Sequence, residues 1–202
     1  MLLSFIIFIT SLACMIPQDS RKTIIFYGNS LTAGYGLAPE NAFPAVVAEL
    51  IEESGKKYKV VNAGVSGETS SGGLTRIDWI LKQHIDIFIL ELGANDGLRG
   101  IPTKKTIENL LGIIDKLKST YPDCKIIIAG MMVPPNMGQD YANKFAGIYS
   151  EIVKSTNAAF IPFLLEGVAG DPDLNLPDGI HPNSEGHKIV AKNVMAVLEP
   201  FL

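Results

Sequence analysis

A regular alternation constrains the fold more than any other feature of this chain. Short apolar runs lead, one after another, into longer stretches whose apolar residues recur at helical spacing. Residues 23–27, 59–61, 85–92, 125–131 and 159–161 read as strands, and residues 43–54, 73–83, 106–119, 141–155 and 184–198 as helices. In 43–54 the inward positions are Phe43, Val46, Val47, Leu50 and Ile51, with Gly55 as a stop. In 106–119 they are Ile107, Leu110, Leu111, Ile114 and Leu117. The run 85–92 is apolar almost throughout rather than at every second position, as expected of a strand covered on both faces. This pattern predicts a three-layer α/β/α sandwich around a mostly parallel five-stranded sheet. Working groups in such sheets collect beyond the carboxyl ends of the strands. Gly28-Asn29-Ser30 follows the first strand, Gly64 to Gly67 the second and Gly93-Ala94-Asn95-Asp96 the third. Three polar, glycine-rich segments are therefore expected along one edge.

With 202 residues, 47% of them hydrophobic, the chain can bury one ordinary domain core. A formal charge of −4 and the lack of a basic cluster argue against a nucleic-acid partner. Residues 2–13 differ in kind: they are almost wholly apolar, and no charge precedes Asp19. The stretch is short of the ~20 residues a membrane span needs, but it fits the apolar part of a secretory signal, although the usual basic start is missing. Ser11-Leu12-Ala13-Cys14 resembles a bacterial lipoprotein cleavage site, with Ser where Leu is usual. The expectation is a leader and tether over 1–22 and one domain over 23–202. Export would deliver the protein to the periplasm or hold it on a membrane through a lipid on Cys14. A plain signal cut near Pro17, or an N-terminal element of the fold, is the alternative. Cys14 and Cys124 are the only cysteines, which excludes a disulfide scaffold.

Two short segments carry the chemistry. Ser30 stands directly after the first strand, and Asp178-Gly179-Ile180-His181-Pro182 stands close to the C-terminus. A serine hydroxyl is a weak nucleophile until a base takes its proton, and that base needs an orienting partner. His181 can be the base and Asp178, three residues earlier, the orienter. Each residue alone has an ordinary reading: Ser30 as a helix cap, Asp178 as a turn residue after Pro177, and Gly67 and Asn95 as turn residues. His84 at a helix end and His187 inside the last helix read as structural or solvated. Glu91, inside an apolar strand, reads as a hydrogen-bonded structural acid. Three scattered histidines make no metal cluster. Gly34-x-Gly36 lacks the third glycine of a dinucleotide loop, so no cofactor is implied.

Four blocks resemble the SGNH (GDSL) hydrolase superfamily: residues 28–37 from Gly28-Asn29-Ser30-Leu31, 62–69 with Gly67, 91–100 with Asn95, and 178–183 with His181. They lie in the family's order and span the chain beyond its leader. Within the superfamily the chain is most similar to the bacterial multifunctional thioesterase, arylesterase and lysophospholipase group, a likeness that includes Arg99-Gly100 and residues 133–138. The resemblance implies a flavodoxin-like sheet and an acyl-enzyme on Ser30, with Asp178 and His181 completing the triad. It also implies an oxyanion hole from the N–H groups of Ser30 and Gly67 and the side chain of Asn95. An acyl groove is expected near Leu98, Ile101, Val133, Pro134 and Met137, with Met131 and Met132 read as core and Arg99 as a contact for an anionic head group. The implied partner is a small-molecule or lipid acyl substrate, acted on by a monomer. One departure stands out: Asn29 occupies a position where the family's first block has Asp. The expected effect is altered hydrogen bonding and substrate preference, not lost activity. A carbohydrate O-acetyl esterase is the rival hydrolase reading. A flavin-binding protein, or a non-catalytic surface protein on the same fold, is more remote.

Overall fold

In the computed structural model, which describes residues 20–202, the strands richest in apolar residues lie at the centre of the sheet. The strands are β1 (Lys22–Gly28), β2 (Tyr58–Gly64), β3 (Ile87–Glu91), β4 (Lys125–Ala129) and β5 (Ala159–Ile161). Their order is β2-β1-β3-β4-β5, and all four pairings are parallel. Every residue of β3 is buried, which accounts for its unbroken apolar sequence. The helices are α1 (Ser30–Ala33), α2 (Phe43–Glu53), α3 (Ser70–Ile80), α4 (Ala94–Leu98), α5 (Thr103–Thr120), α6 (Gln139–Thr156) and α7 (Ser184–Leu198). α2 packs with α7 on one face of the sheet, and α3, α5 and α6 pack together on the other. The expected leader cleavage and the lipid on Cys14 fall in residues 1–19, outside the described residues.

Two features of this architecture position the site. The strand order reverses at β1, whose neighbours are β2 and β3, and ligands of open parallel sheets bind at such a switch point. Ser30 begins the helix that follows β1. The loops after β2 and β3 flank it on either side, so the three polar segments share one edge as their spacing indicated.

Departures from the expected elements have local causes. α3 starts at Ser70 rather than at residue 73, because the Thr69 side chain caps it and Asp96 accepts both the N–H and the hydroxyl of Ser70. β3 begins two residues late, at Ile87: Asp86 instead closes the sheet's edge, its Oδ2 accepting the Thr23 N–H at 2.7 Å. α1 and α4 have no counterpart among the expected elements, since four and five residues are too few to show a helical period. Met132 corrects a further expectation: Met131 is buried, but Met132, past the end of β4, is 53% exposed.

Candidate active site

β1 delivers its chain to the edge through Gly28, and only glycine fits there. A Cβ at 28 would meet the Thr32 hydroxyl, and would lie 2.5 Å from Glu91 Oε2. Asn29 then caps α1, its Oδ1 accepting the Leu31 N–H at 3.0 Å, and α1 closes at Gly34 in the left-handed conformation (φ 75°). Ser30, first in this short helix, has no helical acceptor for its N–H. Its half-buried hydroxyl lies 3.0 Å from His181 Nε2.

His181 arrives from the other end of the chain on a pinned loop. Asp178 Oδ1 accepts the N–H groups of Ile180 (2.9 Å) and His181 (3.0 Å), and its Oδ2 meets His181 Nδ1 at 2.7 Å. These bonds, the backbone donors first and the imidazole after them, hold the Asp178 carboxyl down at about 2. The Leu176 N–H donates to the His181 carbonyl at 2.7 Å, and Asn183 caps α7 immediately beyond. Buried Asn175 donates to the carbonyls of Val168 and Asp171, tying down the upstream part of the loop. Tyr35, absent from the residues expected at the site, lays its ring against the imidazole with centroids 4.5 Å apart. The Gly34 and Gly36 turns that flank it were the available signal.

The other two groups expected at an oxyanion hole come from the loops after β2 and β3. Gly67 has φ 78°, and its N–H has no partner among the described residues. Asn95 Nδ2 donates to the Glu68 carbonyl at 3.0 Å, placing the carboxamide beside that loop. Two arginines brace the loop. Arg76 pairs with Glu68 through both nitrogens it offers, donates to the Ala63 carbonyl at 2.8 Å, and lies over the Tyr27 ring. Arg99 donates to the Gly67 carbonyl at 3.0 Å, so the residue expected to meet an anionic head group is here a strut for the glycine. The next residue, Asp96, is buried and fastens the segment after β3 to α3 and α5 through Ser70 and Thr106. Neither Arg76 nor Asp96 stands out as a site residue in the sequence. A charged residue within a glycine-rich segment was the signal for Asp96.

Of the expected substrate contacts, Leu98 is 41% exposed, Pro134 is exposed and Ile101 is half-buried, its carbonyl held by the Tyr141 hydroxyl at 2.8 Å. Leu98, at the end of α4, and the exposed loop residues Tyr35, Val65, Met132 and Ile180 all follow strands at the carboxyl edge of the sheet. The two remaining histidines do separate work. His84 is an exposed partner of Asp86. His187 is buried, and its Nδ1 accepts the Phe43 N–H at 2.9 Å, joining α7 to α2. Burial, then the charge of His181, drives its pKa down to about 4. Glu91, as expected of a structural acid, is wholly buried and hydrogen-bonded. Burial pushes its pKa up to about 7 against the pull of donors from Thr32 and Asn29.

Residues 26–189 match the GDSL-like Lipase/Acylhydrolase family. Among characterised relatives, the arylesterase of Vibrio mimicus is 35% identical, covering 100% of this chain and 98% of that protein. The thioesterase 1/protease 1/lysophospholipase L1 of Escherichia coli K12 is 34% identical over 91% of this chain and 86% of its own. The crystal structure of TesA superposes with a TM-score of 0.85 at 34% identity, over 90% of this chain and all of that one. The match takes in the β1, β3 and His181 loops together, and on it the chain belongs to the GDSL lipase/acylhydrolase family, as a carboxylic ester or thioester hydrolase.

Proposed function

We propose that the chain cleaves acyl esters and thioesters of lipid type through an acyl-enzyme on Ser30. The observation that carries this reading is the unbroken relay from Ser30 Oγ to His181 Nε2 (3.0 Å) and from His181 Nδ1 to Asp178 (2.7 Å), on an edge whose exposed side chains include apolar ones. His181 takes the hydroxyl proton as Ser30 attacks the acyl carbonyl. The N–H groups of Ser30 and Gly67 and the Asn95 carboxamide meet the developing oxyanion. His181 passes its proton to the departing alkoxide or thiolate, then takes one from the attacking water and returns it to Ser30 Oγ as the acid leaves. Asp178 holds Nδ1–H and stabilises the imidazolium, and with its carboxyl near 2 it stays charged through the working range. Tyr35, Val65, Leu98, Met132 and Ile180 suit a hydrocarbon chain laid along the edge. Lysophospholipids, thioesters and aryl esters, classes that appear in the names of its relatives, are the substrates to test, with acyl-CoA as the thioester probe.

Hydrolysis of p-nitrophenyl esters from acetate to palmitate, beside palmitoyl-CoA, tests the reading in wild type and Ser30→Ala. Turnover of medium or long chains that vanishes in the variant is the expected result. Turnover of acetate alone would favour the carbohydrate O-acetyl esterase. Equal activity in both proteins would refute the serine mechanism. Export and a lipid on Cys14 belong to the same proposal, supported by the apolar run 2–13. The mass of the mature N-terminus, after expression with the leader in a bacterium, tests them: a diacylglyceryl-modified Cys14 supports anchoring, and an unmodified end beyond it refutes it.

A further inference from the structure

Beneath the nucleophile lies an acid that the hydrolytic steps do not use. Glu91 ends β3 with no exposed surface, and all its hydrogen-bond partners are neutral. Its Oε2 accepts the N–H of Asn29 (3.1 Å), the N–H of Thr32 (3.3 Å) and the Thr32 hydroxyl (2.8 Å). Its Oε1 accepts Asn29 Nδ2 at 2.6 Å. The four donors belong to residues on either side of Ser30. Asn29 faces two ways: its NH2 meets Glu91, while its oxygen takes the Leu31 N–H and lies 3.4 Å from Ser30 Oγ. A carboxamide offers a donor at one end and an acceptor at the other. A carboxylate of the same shape would set oxygen against oxygen at the Glu91 end.

We propose that Asn29 and Glu91 form one positioning couple for Ser30, an amide–carboxyl pair that confines any negative charge to Glu91 and leaves a neutral oxygen beside the serine hydroxyl at every pH. That hydroxyl has two acceptors in reach, Asn29 Oδ1 and His181 Nε2. A charged oxygen at 29 would compete for its proton more strongly than a neutral one, since charge-assisted hydrogen bonds are about twice as strong. The couple thus leaves the proton to the base while its acceptors fix the backbone around the nucleophile. The other ionisable groups close to it are Asp96 of α4, Tyr149 of α6 and Arg76 of α3. Arg76 reaches the Gly28 carbonyl at 3.4 Å and is paired with Glu68, while the charges of Glu91 and Asp96 act on the buried Tyr149 phenol.

The couple rests on Ser30 being the nucleophile, and the test separates the two claims. kcat and KM are measured from about pH 6 to about pH 10 for wild type, Asn29→Asp and the swap Asn29→Asp/Glu91→Gln. Two carboxylates in hydrogen-bond contact share one proton, so both cannot ionise at neutral pH. Asn29→Asp is expected to show an added alkaline break in kcat/KM, with a fall of about tenfold per pH unit beyond it. In the swap, the amide introduced at position 91 donates to the carboxylate introduced at position 29, while its oxygen keeps the Thr32 donors. The break should vanish there and kcat stay low at every pH, with KM within about twofold of wild type. An Asn29→Asp profile parallel to wild type, or a break that persists in the swap, overturns the couple. Should Asn29→Asp fail to fold, circular dichroism of the swap decides: a folded swap supports the pairing and an unfolded one overturns it. Ser30→Ala and fluorophosphonate labelling report on the nucleophile independently of both.

Discussion

Two buried groups should bend the pH dependence of stability in opposite directions and partly hide each other. Glu91 titrates at about 7 in the folded protein against an ordinary 4.5. Between those values the native state holds a proton that the unfolded chain has released, so Glu91 favours folding below 4.5, and that contribution is lost as pH rises through 7. His187 titrates at about 4 against an ordinary 6.5. There the unfolded chain holds the extra proton, so the contribution of His187 is complete above 6.5 and is lost as pH falls through 4. At about 1.4 kcal/mol per pH unit of displacement, each group accounts for about 3 kcal/mol. From 4.5 to 6.5 their slopes cancel, and wild type should be flat in this respect. Urea unfolding at intervals from about pH 4 to about pH 8 gives the stability of wild type, Glu91→Gln and His187→Gln. Glutamine at 187 can still accept the Phe43 N–H, so the second variant removes little but the titration. The difference between Glu91→Gln and wild type should move by about 3 kcal/mol in favour of the variant from the acid to the alkaline end. For His187→Gln it should move by a similar amount in favour of wild type. Differences that stay constant across the range would refute the burial argument for that group.

Other consequences are more local. Asn95→Ala removes a proposed oxyanion donor and should lower kcat by about 10²–10³-fold with KM little changed. A rise in KM with kcat unchanged would move Asn95 out of the oxyanion hole. Asp178→Asn offers the imidazole a donor where it needs an acceptor, and by analogy with triads elsewhere should cost about 10⁴-fold in kcat. Retention of more than a tenth of the activity would show that the backbone bonds alone orient the loop. Gly28→Ala drives a methyl group into Thr32 and Glu91, so its unfolding midpoint should fall by the equivalent of about 3 kcal/mol or more, and an unchanged midpoint would mean that β1 can retreat at no cost.

The sheet was legible because β1, β3 and β4 are buried on both faces and say so in unbroken apolar runs, and because the glycine-rich segments after β1, β2 and β3 all fall on one edge. Ser30, Asp178 and His181 were legible as residue types whose chemistry needs one another, although no local rule joins positions 30 and 181. What could not be read depends on approach in space. Arg99 alone in a loop fits a substrate contact as well as a strut, and only the carbonyl of Gly67, thirty-two residues away in sequence, distinguishes the two. Tyr35 looks like any exposed aromatic until the His181 loop folds over it. Met131 and Met132 are identical in type and adjacent, yet the turn out of β4 buries one and exposes the other. Asn29 is the most instructive position. Judged by sequence alone it is a departure at a single residue, a lost charge beside a nucleophile. The fold puts a buried carboxylate 2.6 Å from its amide, and the change then concerns two residues sixty-two apart. With Asn29 the pair can ionise Glu91 without holding a proton; with Asp there it would have to keep one. On the proposed couple, the unit beside Ser30 is a contact between the ends of β1 and β3, and a substitution at either end is interpretable only with the other in view.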